Sequence, residues 1–157
     1  MSYFVHIIWI SVQRMTTKAK GLRLQSALEA EIAREAETRG KSWSAMANEL
    51  LTEAIRLRRV PGIVFVDGPS GRRAALASTG LDVWEVISVW QELNDAKSYG
   101  ELRANFDWLS EAQLRTAVAY YKLYPSEIDA RLAREREWTP EKVRKELPFA
   151  VRERSRR

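Results

Sequence analysis

Bond-making chemistry asks for a thiol, a poised imidazole, paired carboxylates or a metal cage. This 157-residue chain has no Cys and one His, and His6 sits in an apolar run where it reads as a passive residue. It contains no Gly-rich phosphate loop and no metal-ligand spacing. The chain is therefore expected to be no enzyme, with no cofactor and no metal. Asp67 before Gly68 is explained by a turn. The chemistry that remains is recognition. Of the six Trp, core packing is the default for most, including Trp90 on the apolar face of its helix and Trp108 at a helix corner. Trp138, beside a basic tail, is the candidate for partner contact. In that tail Leu147, Phe149 and Val151 make an isolated apolar patch, which is either frayed alone or ordered against a partner.

The formal charge is +5. Residues 131–157 hold ten Lys/Arg and five Asp/Glu, and the remainder holds sixteen of each, so the excess belongs to the tail. The lack of Cys suits a reducing, cytoplasmic setting. Residues 3–12 are apolar but only about half as long as a helical membrane span, and they lack the basic start of a secretory signal. They are either an extra strand or a stretch upstream of a natural start at Met15, the reading we favour. Residues 1–15 are accordingly set apart as an N-terminal extension, and no membrane partner is expected.

Residues 19–58 organise the rest. Leu22, Arg23 and Leu24 alternate as in a half-buried strand, and two segments of helical period follow, 26–39 and 43–57. Leu28, Ile32 and Ala36 line one face of the first; Met46, Ala47, Leu50, Leu51, Ala54 and Ile55 line one face of the second. Gly40 suits the left-handed residue that ends a helix, and Ser42 or Ser44 can cap the next. A strand and two short helices cannot bury that much apolar surface alone. The expected partner is a second copy.

With strand Arg23, the helix after it and the Gly40-Lys41-Ser42 corner, residues 19–59 resemble the ribbon-helix-helix DNA-binding domains of the Arc, MetJ and CopG repressors. The resemblance implies an intertwined homodimer whose paired strands enter the major groove of operator DNA. It implies that Leu22 and Leu24 face the core and that Ala19, Gly21 and Arg23 face the bases. It gives Lys41, Ser42 and Ser44, at the start of the second helix, a phosphate to hold. Only Arg23 among the base-facing positions can hydrogen-bond a base edge. Lys20, where the family has an apolar residue, joins the DNA-contacting set.

Val60, Pro61 and Gly62 break the second helix. A hairpin is expected next, 63–66 paired with 72–77, then helices at 82–94, 98–106 and 110–124. Asp82, Ser98 and Ser110 are their caps, and Ser110 with Gln113 has the capping-box form. Three helices around a turn at Asp107-Trp108-Leu109 have the shape of a helix-turn-helix core. Gln113, Arg115 and Lys122 lie on or near the outer side of the third helix, where they either read DNA or form a solvated face. Ser126 is expected to cap a charged helix to Glu137, and Thr139 with Pro140 to begin another. Residues 60–125 are similar to the domain-of-unknown-function 433 group typical of bacterial antitoxins. The match runs through Val60-Pro61-Gly62-Ile63, residues 77–86, Ser98-Tyr99-Gly100-Glu101-Leu102, residues 106–110 and residues 114–121. Leu81 replaces the usual Arg, and 94–97 replace a Gly-rich turn.

The expected architecture is mainly α: a ribbon-helix-helix domain (19–59), a trihelical helix-turn-helix domain with a short β-hairpin (60–125), and a charged helix with a basic tail (126–157). The expected function is an antitoxin and autorepressor. Resemblance implies a PIN-like ribonuclease toxin as partner, bound through Trp138, Arg144, Leu147, Phe149, Val151, Arg152 and Arg154, a basic and partly apolar set that complements an acidic cleft. The alternatives are a stand-alone regulator without a toxin and a structural dimerisation module.

Overall fold

The structure is a computed structural model that describes residues 21–68, 71–93 and 98–146, without the side chains of Pro140 and Val143. The described chain is mainly helical with one two-stranded antiparallel hairpin. It divides into two compact units, residues 1–46 and 47–157.

In the first unit, α1 (Ser26–Thr38) ends at Arg39. Gly40 follows at φ 60°, where the absence of a Cβ removes the usual penalty. Its N–H reaches Glu37 O at 3.1 Å, and Lys41 N–H reaches Ala36 O at 2.8 Å. This crossed pair satisfies two of the helix's last carbonyls. The Ser42 hydroxyl then accepts from Ala45 N–H at 3.2 Å, so Ser42 caps α2 (Trp43–Arg59). Of the described side chains in this unit, Ile32, Ala36 and Met46 are buried. Leu28, expected inside, is exposed, and residues 21–25 form no strand. Among the described residues this segment has no neighbouring strand, so no ladder forms.

The division between units falls inside α2, after Met46. From Ala47 onward the helix has two contrasting faces. Glu49, Glu53, Arg56 and Val60, spaced at helical intervals, lie on one side, where Glu53 and Arg56 are ion-paired to later parts of the chain and Val60 is buried. Leu50, Leu51 and Ile55 lie on the other and are exposed.

The second unit continues with β1 (Ile63–Val66) and β2 (Arg73–Leu76), paired from Ile63↔Leu76 to Val66↔Arg73. Helices α3 (Val83–Glu92), α4 (Tyr99–Asn105) and α5 (Glu111–Leu123) follow, then α6 (Pro125–Arg136) and α7 (Pro140–Glu146). Leu76, Val83, Val86, Ile87, Leu102, Leu114, Val118 and Tyr120 form the centre of the core, with Ile128 and Leu132 of α6 closing it. The caps are local chemistry. The Glu85 carboxylate accepts from Asp82 N–H at 2.8 Å, and Ser98 accepts from Gly100 N–H at 3.1 Å. Ser110 and Gln113 bond reciprocally, and Thr139 accepts from Lys142 N–H at 3.2 Å. Two expectations are corrected. Pro125, not Ser126, opens α6, since Pro lacks the N–H that a first-turn residue would leave unpaired. Trp108 is 58% exposed at the corner before α5, while its neighbour Leu109 fills the core.

Candidate functional site

The first-unit candidates sit at the start of α2. Lys41, Ser42 and Ser44 are exposed there, at the positive end of the helix dipole, which favours anions. Arg23 is exposed and makes no ion pair or hydrogen bond among the described residues. Leu22, Leu24, Glu29 and Trp43 line an open, largely apolar cleft of about 370 Å³, so the residues of the expected ribbon border empty space. Lys20 lies outside the described residues.

In the second unit, Gln113 is engaged in capping: its Oε1 accepts from the Ser110 N–H and hydroxyl, each at 2.9 Å. Arg115 lies over the Tyr99 ring at 4.3 Å and donates from Nε to Glu111 at 2.8 Å. To reach a base edge it must leave both. Lys122 is exposed further along α5 beside Ala119 and Leu123, so two cations and the Glu111 carboxylate share this outer face. Trp138 is about half exposed, with Lys142 Nζ 5.0 Å from its ring centroid. Arg144 pairs with Glu141 at 3.4 Å. Leu147, Phe149, Val151, Arg152 and Arg154 lie outside the described residues.

The most connected polar cluster was not foreseen. Arg56 of α2 donates to the Tyr120 hydroxyl at 3.0 Å, pairs with Glu127 of α6 and lies 4.6 Å from the Tyr124 ring centroid. Tyr120 donates to Glu127 at 3.0 Å. Burial, and then the Glu127 charge, push the Tyr120 phenol well above its usual range. Burial works against the Arg56 charge, but Glu127 and Tyr120 outweigh it and its pKa is raised. Beside this cluster Arg72 grips Glu53 with a two-pronged fork and reaches Asp67 at 3.1 Å. The Glu53 hydrogen bond is the chief reason the Arg72 pKa is raised. Glu53 and Arg56 share a helix face at the i,i+3 spacing, but nothing in that spacing names partners so far along the chain.

Among the described residues no group of His, Cys, Asp or Glu could hold a metal ion, and no helix is long and apolar enough to cross a membrane. No family model, curated protein or solved structure matches the chain.

Proposed function

We propose that the chain is a dimeric DNA-binding regulator of the ribbon-helix-helix kind, serving as antitoxin and autorepressor of a toxin–antitoxin pair. The observation that carries this reading is the apolar face of α2. Leu51 is 52% and Ile55 50% exposed, with Leu50 beside them, although the opposite face of the same helix is fastened by Arg56 and Glu53. A helix held on one side and apolar on the other presents a surface for association. A second copy offers the same surface in return, which a two-fold interface requires.

DNA recognition follows from what surrounds that face. A dimer brings two copies of residues 21–25 together, letting each extended segment find its ladder and filling the cleft beside Trp43. Arg23 then projects from the ribbon toward guanine. Lys41, Ser42 and Ser44 hold the phosphate backbone from the start of α2. The test is gel-shift binding to the DNA upstream of the chain's own gene. Wild type shifts it at a specific site, and Arg23→Ala loses that specificity. Unchanged specific binding by Arg23→Ala sinks the ribbon mechanism, and no binding by wild type favours a purely structural dimer.

The toxin half rests on the resemblance of residues 60–125 and on the basic tail, with Trp138 as an exposed anchor at its root. A PIN-like nuclease holds its metal with carboxylates, so the tail's arginines match its cleft in charge. Co-purification with the product of the adjacent gene tests this, comparing the full chain with one ending at Val143. Equal retention of the partner by both removes the tail from the mechanism. If instead the tail is a DNA clamp in a regulator without a toxin, its removal lowers DNA affinity and flattens the salt dependence.

A further inference from the structure

We propose that the second unit carries a phosphate-binding pocket where the hairpin meets α3 and α6. A cavity of about 50 Å³ opens there, and Arg72, Arg73, Trp84, Glu127, Arg131 and Arg134 are on its wall. A water needs roughly 10–15 Å³ on this measure, so the space holds several waters or one tetrahedral oxyanion. Four arginines thus line it from two layers, two from the hairpin and two a helical turn apart on α6. Guanidinium forks match the geometry of phosphate oxygens and keep their charge at any physiological pH.

Carboxylates orient most of these forks. Glu53 and Asp67 hold Arg72, Asp82 holds Arg73, and Glu135 holds Arg131 at 2.6 Å. Two of those pairings, those of Arg73 and Arg131, leave donors over. Arg73 binds Asp82 through Nε, and its guanidinium lies so close to Gly68 that a Cβ there would collide with it. Arg131 lies 5.2 Å from the Trp84 ring centroid, and its Nε is buried with no hydrogen-bond partner. Arg134 makes no side-chain pair among the described residues. The one carboxylate on the wall, Glu127, is engaged by Arg56 and Tyr120. A buried N–H without an acceptor is unfavourable, and an anion held by the surrounding arginines supplies the missing acceptor. The pocket shares no residue with the ribbon segment or with α5, so it stands whether or not those bind DNA.

The phosphate could be free or part of a nucleic-acid backbone, and one experiment separates the two. Full-length protein is titrated with inorganic phosphate, against chloride at matched ionic strength, by calorimetry and by tryptophan fluorescence. It is also titrated with random-sequence duplex DNA at several salt concentrations. Arg134→Gln changes an exposed side chain and leaves the fold intact by circular dichroism; Arg103→Gln, exposed on α4, is the control. A free-phosphate site predicts saturable binding weakened at least threefold in Arg134→Gln, unchanged in Arg103→Gln, with DNA affinity unaltered. A backbone-phosphate site predicts that Arg134→Gln also lowers DNA affinity and reduces the salt slope by about one. The proposal is overturned if phosphate behaves as chloride does and Arg134→Gln binds DNA as wild type does, or if the control loses as much as Arg134→Gln.

Discussion

Arg56 and Tyr120, 64 positions apart in the chain, are joined by a 3.0 Å hydrogen bond that belongs to the hub fastening α2 to the helical core. Tyr120 is fully buried, so its hydroxyl must be satisfied from within. Arg56 and Glu127 do this together. Tyr120→Phe keeps the ring contacts with Phe65 and Tyr124 and removes only the hydroxyl. We expect it to lower stability by roughly 1.5–3 kcal/mol, the range for a hydrogen bond to a charged group, measured by urea unfolding. A loss no greater in the Arg56→Lys, Tyr120→Phe double variant than in either single variant would confirm that the two groups act as one hub.

The same hub makes stability sensitive to alkali. A phenol whose pKa is raised on folding contributes stability that is complete below its unfolded value and is lost as pH climbs through the folded one. Unfolding free energy should therefore hold up to about pH 10 and fall above it. Tyr121, raised by burial and by its hydrogen bond to Asp129, contributes in the same direction. Tyr120→Phe flattens the alkaline fall, and adding Tyr121→Phe flattens it further. An unchanged fall in the double variant contradicts the assignment.

Asp82 is a second buried anchor. It receives the Arg73 guanidinium and, at 3.0 Å, the Trp84 indole N–H. Asp82→Ala leaves both donors unmet at the start of α3, and we expect a loss of about 2–4 kcal/mol in thermal unfolding. Asp82→Asn keeps an acceptor for Trp84 but drops the charge, and should cost less.

Trp108 should be dispensable for folding. At this exposure Trp108→Ser is expected to change stability by no more than about 0.5 kcal/mol, in contrast with Leu109→Ala, which empties a buried site and should cost roughly 2–5 kcal/mol.

What the sequence disclosed, and what it concealed, divides along the range of the interactions. Asp82, Ser98, Ser110 and Thr139 were legible as caps because a cap acts within three residues. The Gly40 corner was legible for the same reason. Neighbouring apolar residues at a corner were harder: either Trp108 or Leu109 could have turned inward, and the smaller one did. Ser126 looked like a cap, but Pro125 made the better first residue. The fastening of α2 through Glu53 and Arg56 was not legible, because Arg72, Tyr120 and Glu127 become its partners only after the hairpin and α6 fold back. The cavity lined by arginines is hidden in the same way, since Arg72 and Arg73 meet Arg131 and Arg134 only once α6 folds back on the hairpin. Leu28, Leu50, Leu51 and Ile55 carry an inward pattern yet are exposed among the described residues.

We propose that a second copy completes the apolar face of α2 formed by Leu50, Leu51 and Ile55. Sedimentation equilibrium of the full-length chain at micromolar concentration tests it directly, alongside a Leu51→Glu, Ile55→Glu variant whose α2 fastening is untouched. Wild type is expected at twice the 18.1 kDa chain mass and the variant at the single mass, with helicity retained. A wild type that sediments as one chain, or a variant that pairs as tightly as wild type, contradicts it.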